Sequence, residues 1–254
     1  MNYKKRYLSI CLIVLCLVAG SAFAADTESQ LFGMTKKLAE TKQFSVTLHM
    51  SYDTVQKSGQ KIEFSEIRKT TIKRPNHLRV EALQSDGDER LLIFDGKTIT
   101  LFNASENVYS QTDYPGDVDA AIRYSVAKMG IRVPLARMFL STFPSELQKL
   151  STNVDYVEHN ILGTAPTDHI VGQTKDIDYQ VWIAKDMLPR RIVITYKNAP
   201  DQPQFRGDFS DWNSAPKISD DTFIFTPPKG AEKIPTFLPA TESDITNKTH
   251  GGAR

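Results

Sequence analysis

The chain holds two cysteines in 254 residues, and both, Cys11 and Cys16, fall within its first 24. A mature protein that starts after residue 24 therefore has no disulfide and no thiol chemistry. Neither cysteine follows the small residues that lipid attachment requires. Long apolar runs are also missing. The one from Tyr7 to about Ala19 falls short of the ~20 residues a membrane-spanning helix needs. No charge dominates, since 31 basic residues face 30 acidic ones. That balance excludes electrostatic capture of nucleic acid and leaves no polybasic patch for anionic lipid. The five histidines, at 49, 77, 159, 169 and 250, include no i, i+4 pair for zinc. There is no Gly-x-Ser-x-Gly elbow, no Walker loop and no Gly-x-Gly-x-x-Gly. No cofactor is indicated, and no set of residues rises to an enzyme.

What is present begins with a leader. Lys4, Lys5 and Arg6 precede the short apolar run, and Ala22-Phe-Ala24 follows it. Basic end, apolar core and small-residue cut describe a secretory signal peptide, with cleavage expected after Ala24. An uncleaved anchor is the alternative. Loss of the three leader cations brings the mature charge near −2. An exported chain of about 230 residues can bury a core without disulfides, which suits a bacterial periplasm.

Thr27-Glu-Ser-Gln30 reads as a capping box, and Leu31, Met34 and Leu38 follow at helical spacing. The spacing predicts an amphipathic helix ending near Lys42. The period then changes to two. Phe44, Val46, Leu48, Met50 and Tyr52 alternate with polar residues, a strand with one buried face. Strands follow at Ile62–Lys73, Leu78–Ala82, Leu91–Phe94, Lys97–Phe102 and Val108–Thr112, joined by short turns. Asp95-Gly96 is the strongest hairpin signal among them. The acidic group Asp86, Asp88 and Glu89 lacks the spacing of a calcium loop and reads as a hairpin tip.

Pro115-Gly116 breaks this meander. Asp117 caps a helix whose stripe is Val118, Ile122, Val126 and Met129, ended by Gly130. Pro134 opens a short helix holding Leu135, Met138 and Phe139, and Pro144 a third running to about Leu150. This insert is expected to cover the sheet, either as ordinary core or as the roof of a cavity that admits an apolar molecule. Strands resume near Val154–Val157 and Asp168–Val171, then around Tyr179, Val181 and Ile183, and around Ile192, Ile194 and Tyr196. Phe205–Trp212 and Phe223–Phe225 end the sheet. The expected organisation is a signal peptide at 1–24, a single domain at 25–237 and a loose tail at 238–254.

Seven segments together resemble a family: Arg74-Pro-Asn-His-Leu-Arg-Val-Glu81, Phe94-Asp-Gly-Lys-Thr98, Asn107-Val-Tyr109, Tyr179-Gln-Val-Trp-Ile183, Leu188-Pro-Arg-Arg191, Trp212-Asn213 and Phe225-Thr-Pro-Pro-Lys-Gly-Ala231. They look like the periplasmic family called domain of unknown function 2092, from about Ala25 to Ile234. That family is similar to the lipoprotein carriers LolA and LolB and the sensor RseB. The resemblance implies a mainly β fold: a half-open antiparallel β-barrel with an N-terminal helix and a central helical insert lidding an apolar hollow. It implies a non-enzymatic, periplasmic role in holding a lipid or lipoprotein acyl chain. The residues expected to line the hollow are Met129, Leu135, Met138 and Phe139 from the lid, with Phe44, Leu48 and Phe94 from the sheet. Trp182 is a further candidate for the lining; it is out of phase with Val181 and Ile183, so one of those two faces meets solvent or a partner. The alternative role is a sensor or assembly module that grips a protein through its groove or sheet edge.

Overall fold

The computed structural model describes residues 26–128 and 135–235. The leader at 1–24, the tail at 238–254, and Met129, Gly130 and Pro134 of the insert lie outside them.

Helix α1 covers residues 26–40. Strands β1 (Gln43–Val55), β2 (Lys61–Lys73), β3 (His77–Gln84), β4 (Glu89–Phe94), β5 (Thr98–Asn103) and β6 (Val108–Asp113) follow. Helix α2 (Val118–Lys128), a 3-10 turn (Ala136–Phe139) and helix α3 (Phe143–Leu150) interrupt them. Then come β7 (Asn153–Asn160), β8 (Thr167–Gln173), β9 (Ile177–Ala184), β10 (Pro189–Tyr196) and β11 (Gln204–Asn213). A second 3-10 turn (Asp220–Phe223) precedes the two-residue β12 (Glu232–Lys233). The strands form one open sheet in the order β12-β6-β5-β4-β3-β2-β1-β11-β10-β9-β8-β7. The registered pairs are antiparallel except β12 with β6, which is parallel. The mainly β class, with a helix in front and helices between two β-rich runs, is the one the alternation predicts.

The chain divides into two compact units. The first comprises Met1–Ala39, Tyr52–Ile62 and Thr142–Asp208. Its core joins Leu31, Met34 and Leu38 of α1 to Ile170, Val181, Ile183, Ile192, Ile194 and Phe205, all buried. α1 lies close on the strand ends. Lys37 Nζ donates to the Asp186 carbonyl, and a Cβ on Gly33 would sit 2.7 Å from Met187 Cε. Gln30 Nε2 donates to Asp168 Oδ2 at 2.6 Å. Thr27 is already inside the helix and buried, so it is not the cap that its motif suggests.

The second unit comprises Glu40–Ser51, Glu63–Ser141 and Phe209–Arg254. Cross-strand register assigns the two faces of its meander. His77, Arg79, Phe102 and Tyr109 fall on one face, which residues 222–225 cover. Arg79 Nη1 donates to the Thr222 carbonyl at 3.3 Å. His77 packs on Phe223 at 4.8 Å, and Phe102 and Tyr109 pack on Phe225 at 5.6 and 5.2 Å. Phe223–Phe225, expected as a strand, is therefore a 3-10 turn and a crossing segment. The aromatic rings fasten it face-on, so it does not pair along an edge. The β4–β5 turn also centres one residue later than Asp95-Gly96. The Asp95 carboxylate accepts the N–H groups of Lys97 and Thr98, and Gly96 takes the positive φ of 92°.

Candidate functional site

Of the insert expected to cover the sheet, α2 and the 3-10 turn belong to the second unit and are tied to the end of β2, whereas α3 falls in the first unit and buries none of its side chains. The Asp117 carboxylate caps α2 by accepting the Ala120 N–H at 2.8 Å, as the sequence predicts. The Val118 N–H donates to the Pro75 carbonyl at 2.8 Å. Arg74, the residue before Pro75, donates through Nη1 to Asp119 Oδ1 at 3.2 Å and through Nη2 to the Phe139 carbonyl. The other oxygen of Asp119 accepts from the Ser141 N–H and hydroxyl. Arg74 and Asp119 are only 15% and 16% exposed. One buried ion pair thus holds α2 and the 3-10 turn together, and Arg74 Nε points inward with no hydrogen-bond partner.

α2 buries Val118, Ala121, Ile122 and Ser125. Val126, expected on the same stripe, is 41% exposed. At 100° per residue it lies about 80° from Val118, whereas Ser125 lies within about 20°. In the 3-10 turn and its flanks, Leu135, Met138, Phe139 and Leu140 are all buried.

The sheet face opposite residues 222–225 changes character along the strands. At the Arg74 end, Ile72, Leu78, Phe94 and Ile99 are register partners and each is at most 4% exposed. The next register row, Thr70, Val80, Leu92, Leu101 and Ser110, holds three half-buried aliphatics. The row beyond it, Arg68, Ala82, Arg90 and Asn103, is largely polar. The face passes from closed and apolar, through half-open and apolar, to charged.

Beside the cover runs a chain of rings. Phe139 lies 5.5 Å from Phe44, Phe44 lies 5.8 Å from Trp212, and Trp212 stacks on Phe209 at 5.6 Å. Phe209 and Trp212 are three positions apart and would point to opposite faces of a regular strand. Asp211, at φ 53°, breaks the alternation and lets both join. The odd spacing hides this pair from any period-two reading.

Of the expected lining residues, Leu135, Met138, Phe139, Phe44, Leu48 and Phe94 are all buried in the second unit, with Phe44 against Phe139. Met129 lies outside the described residues. Trp182 is elsewhere, on the polar face of the first unit. His169 stacks on it at 4.0 Å, and the Arg191 guanidinium lies 5.7 Å from its ring centre. Arg191 also grips Asp208 through both oxygens, at 2.8 and 3.0 Å. Asp168 does not orient His169, its sequence neighbour, because adjacent strand residues point to opposite faces. It accepts from His159 and Gln30. Burial pushes the Asp168 carboxyl up, but these two bonds hold it below the usual carboxylate range.

A shallow polar depression lies among Asp86, Asp88, Arg90, Asn103 and Glu106. Asp86 accepts the Asp88 N–H and Asp88 pairs with Arg90, as befits a hairpin tip. Among the described residues no group of side chains is arranged to hold a metal ion. None of the described helices is long and apolar enough to cross a membrane.

Fold and site define a class: an open antiparallel sheet, one of whose apolar faces carries a latched helical cover. The chain belongs to the family described as "Predicted periplasmic protein (DUF2092)", which matches residues 27–237. No curated protein sequence matches it. Among solved structures it is similar to an uncharacterized conserved protein from Thermus thermophilus (8% identity, TM-score 0.47, 82% of this chain and 98% of that one). It is similar to a chain of the Pseudomonas aeruginosa MucA/MucB complex (14%, TM-score 0.44, 78% and 61%). A LolA superfamily protein from Nitrosomonas europaea is a further relative in shape (8%, TM-score 0.36, 78% and 98%).

Proposed function

We propose that this is an exported, non-enzymatic periplasmic protein that binds or carries an apolar molecule, a lipid or lipoprotein acyl chain, beneath the helical cover of its second unit. The observation that supports this reading is the latch. The cover is built from short elements and held to the strand end by Arg74, Asp119 and Ser141, groups that can part and re-form. Hydrogen bonds to charged groups are worth about 1.5–3 kcal/mol each, enough to keep a cover shut yet within reach of a ligand's binding energy. An acyl chain entering from the half-open row of Val80, Leu92 and Leu101 gains roughly 0.8 kcal/mol per methylene removed from water. Phe44, Leu48, Phe94, Leu135, Met138 and Phe139, with Met129, would line its path. Met129 and Met138 bring the unbranched side chains that adapt to variable shapes.

Strand addition by a protein partner is less well supported. The edge strand β7 has a register break between Tyr156 and Glu158 and carries Asp155 and Glu158, features that discourage pairing.

The test is titration of the mature protein with a fluorescent acyl-chain probe. Saturable binding is expected, tighter or faster when Arg74→Ala loosens the cover, and lost in Met138→Asp. Absence of probe binding in both the native protein and Arg74→Ala would remove the carrier reading.

A further inference from the structure

The β7–β8 hairpin tip of the first unit, residues 161–166, has the sequence Ile-Leu-Gly-Thr-Ala-Pro. It holds no charged residue in a chain that is 24% charged. Ile161 is 69% exposed and Leu162 91% exposed, and no other large apolar side chain among the described residues exceeds Leu162. The tip is built. Asn160 Oδ1 accepts the Leu162 N–H at 3.0 Å, and Asn160 Nδ2 donates to Glu158 Oε1 at 3.1 Å.

Two adjacent aliphatics left in water on an ordered turn cost hydration free energy and add nothing to folding. Their shape also selects an occupant. A protein partner needs a groove or a broad face, whereas a narrow uncharged protrusion can enter a lipid layer without dehydrating an ion. Gln30, in the first turns of α1, bonds Asp168 at the start of β8, which ties the base of the hairpin to the helix.

We propose that the β7–β8 tip is a bilayer-docking element, with Ile161 and Leu162 entering the apolar layer of a neutral lipid surface. Asp155 and Glu158 on β7 disfavour anionic lipid, so binding should be insensitive to salt. The proposal does not depend on whether anything lies beneath the cover of the second unit.

The missing cysteines supply the test. Leu162→Cys gives the mature protein a single thiol for an environment-sensitive dye. Ser58→Cys, exposed on the β1–β2 turn, is the control. That turn lies at the opposite end of the first unit, the end where the Gln204 N–H bonds Asp53. With vesicles of phosphatidylethanolamine and phosphatidylcholine, the dye at 162 should shift to the blue and the dye at 58 should not. Leu162→Asp, at an exposed site where folding is untouched, should lower co-flotation by about tenfold or more. No shift at 162, equal shifts at both sites, or unchanged flotation of Leu162→Asp would overturn the proposal. A shift that appears only with envelope proteins present would assign the tip to a protein and overturn the lipid occupant.

Discussion

Arg74 and Phe139, 65 positions apart, are joined by a hydrogen bond from a guanidinium to a main-chain carbonyl. Because the acceptor is backbone, changing the Phe139 side chain does not remove the bond, whereas any change at Arg74 does. Arg74→Ala should raise hydrogen exchange in 118–128 and 135–141 on the order of a hundredfold, since it breaks two charge-assisted bonds. Arg74→Lys keeps the charge but loses the planar fork and should fall between. Exchange that rises equally in β9 and β10 would mean global destabilisation and no latch.

Phe139 and Phe205 are both buried, at 7% and 1% exposure, yet they should respond differently. Phe205→Ala removes a ring from the first unit's core and should cost about 3–5 kcal/mol in denaturant unfolding. Phe139→Ala should cost less than about 2 kcal/mol, because a cover can settle onto the space left, while probe affinity falls. Met138→Asp should abolish ligand retention with β-rich circular dichroism intact. Loss of folding there would mark these side chains as plain core.

Gly172 faces Tyr179 across β8 and β9, and a Cβ at 172 would collide with the phenol oxygen. Burial pushes the Tyr179 hydroxyl's pKa up, and its bond to Ser151 Oγ, 2.8 Å long, opposes this. Gly172→Ala must displace the ring and break that bond. It should lower the melting temperature more than Tyr179→Phe, which loses the bond alone at about 1 kcal/mol. A melting temperature equal to native for Gly172→Ala would contradict the packing described.

Asp53 receives Arg206 Nη1 on one oxygen and the Gln204 N–H on the other, both at 2.9 Å. Burial alone would raise its pKa, but these partners hold it below the usual carboxylate value of about 3.9. The folded form therefore binds its proton less readily than the unfolded one. The stabilisation is fully present above about pH 4 and disappears as pH falls through the lower folded value. Asp53→Asn should lose about 1–3 kcal/mol at pH 7 and show a shallower acid limb in unfolding between about pH 4 and pH 2. An acid limb of unchanged steepness would show that this carboxylate does not carry it.

The sequence made most strands legible because one buried face imposes a period of two, as in Phe44, Val46, Leu48 and Met50. It made the α2 cap legible because Asp117 is a local signal. It misled where geometry is non-local. Phe223 and Phe225 have strand composition, but their rings meet His77, Phe102 and Tyr109, more than a hundred positions away. Trp212 escaped notice as a partner of Phe44 because Asp211 breaks the alternation. Asp168 and His169 are neighbours in sequence, yet a strand turns neighbours apart, and Asp168 meets His159 and Gln30 instead. Arg74 carried no sign of its latch, since the carbonyl it holds belongs to a residue 65 positions on.

The most direct measurement is native mass spectrometry of mature protein purified from periplasm, followed by solvent extraction. The account predicts a discrete added mass that extracts as lipid or another apolar compound, and that diminishes in Met138→Asp. A clean unliganded mass, unchanged after incubation with envelope lipids, would contradict it.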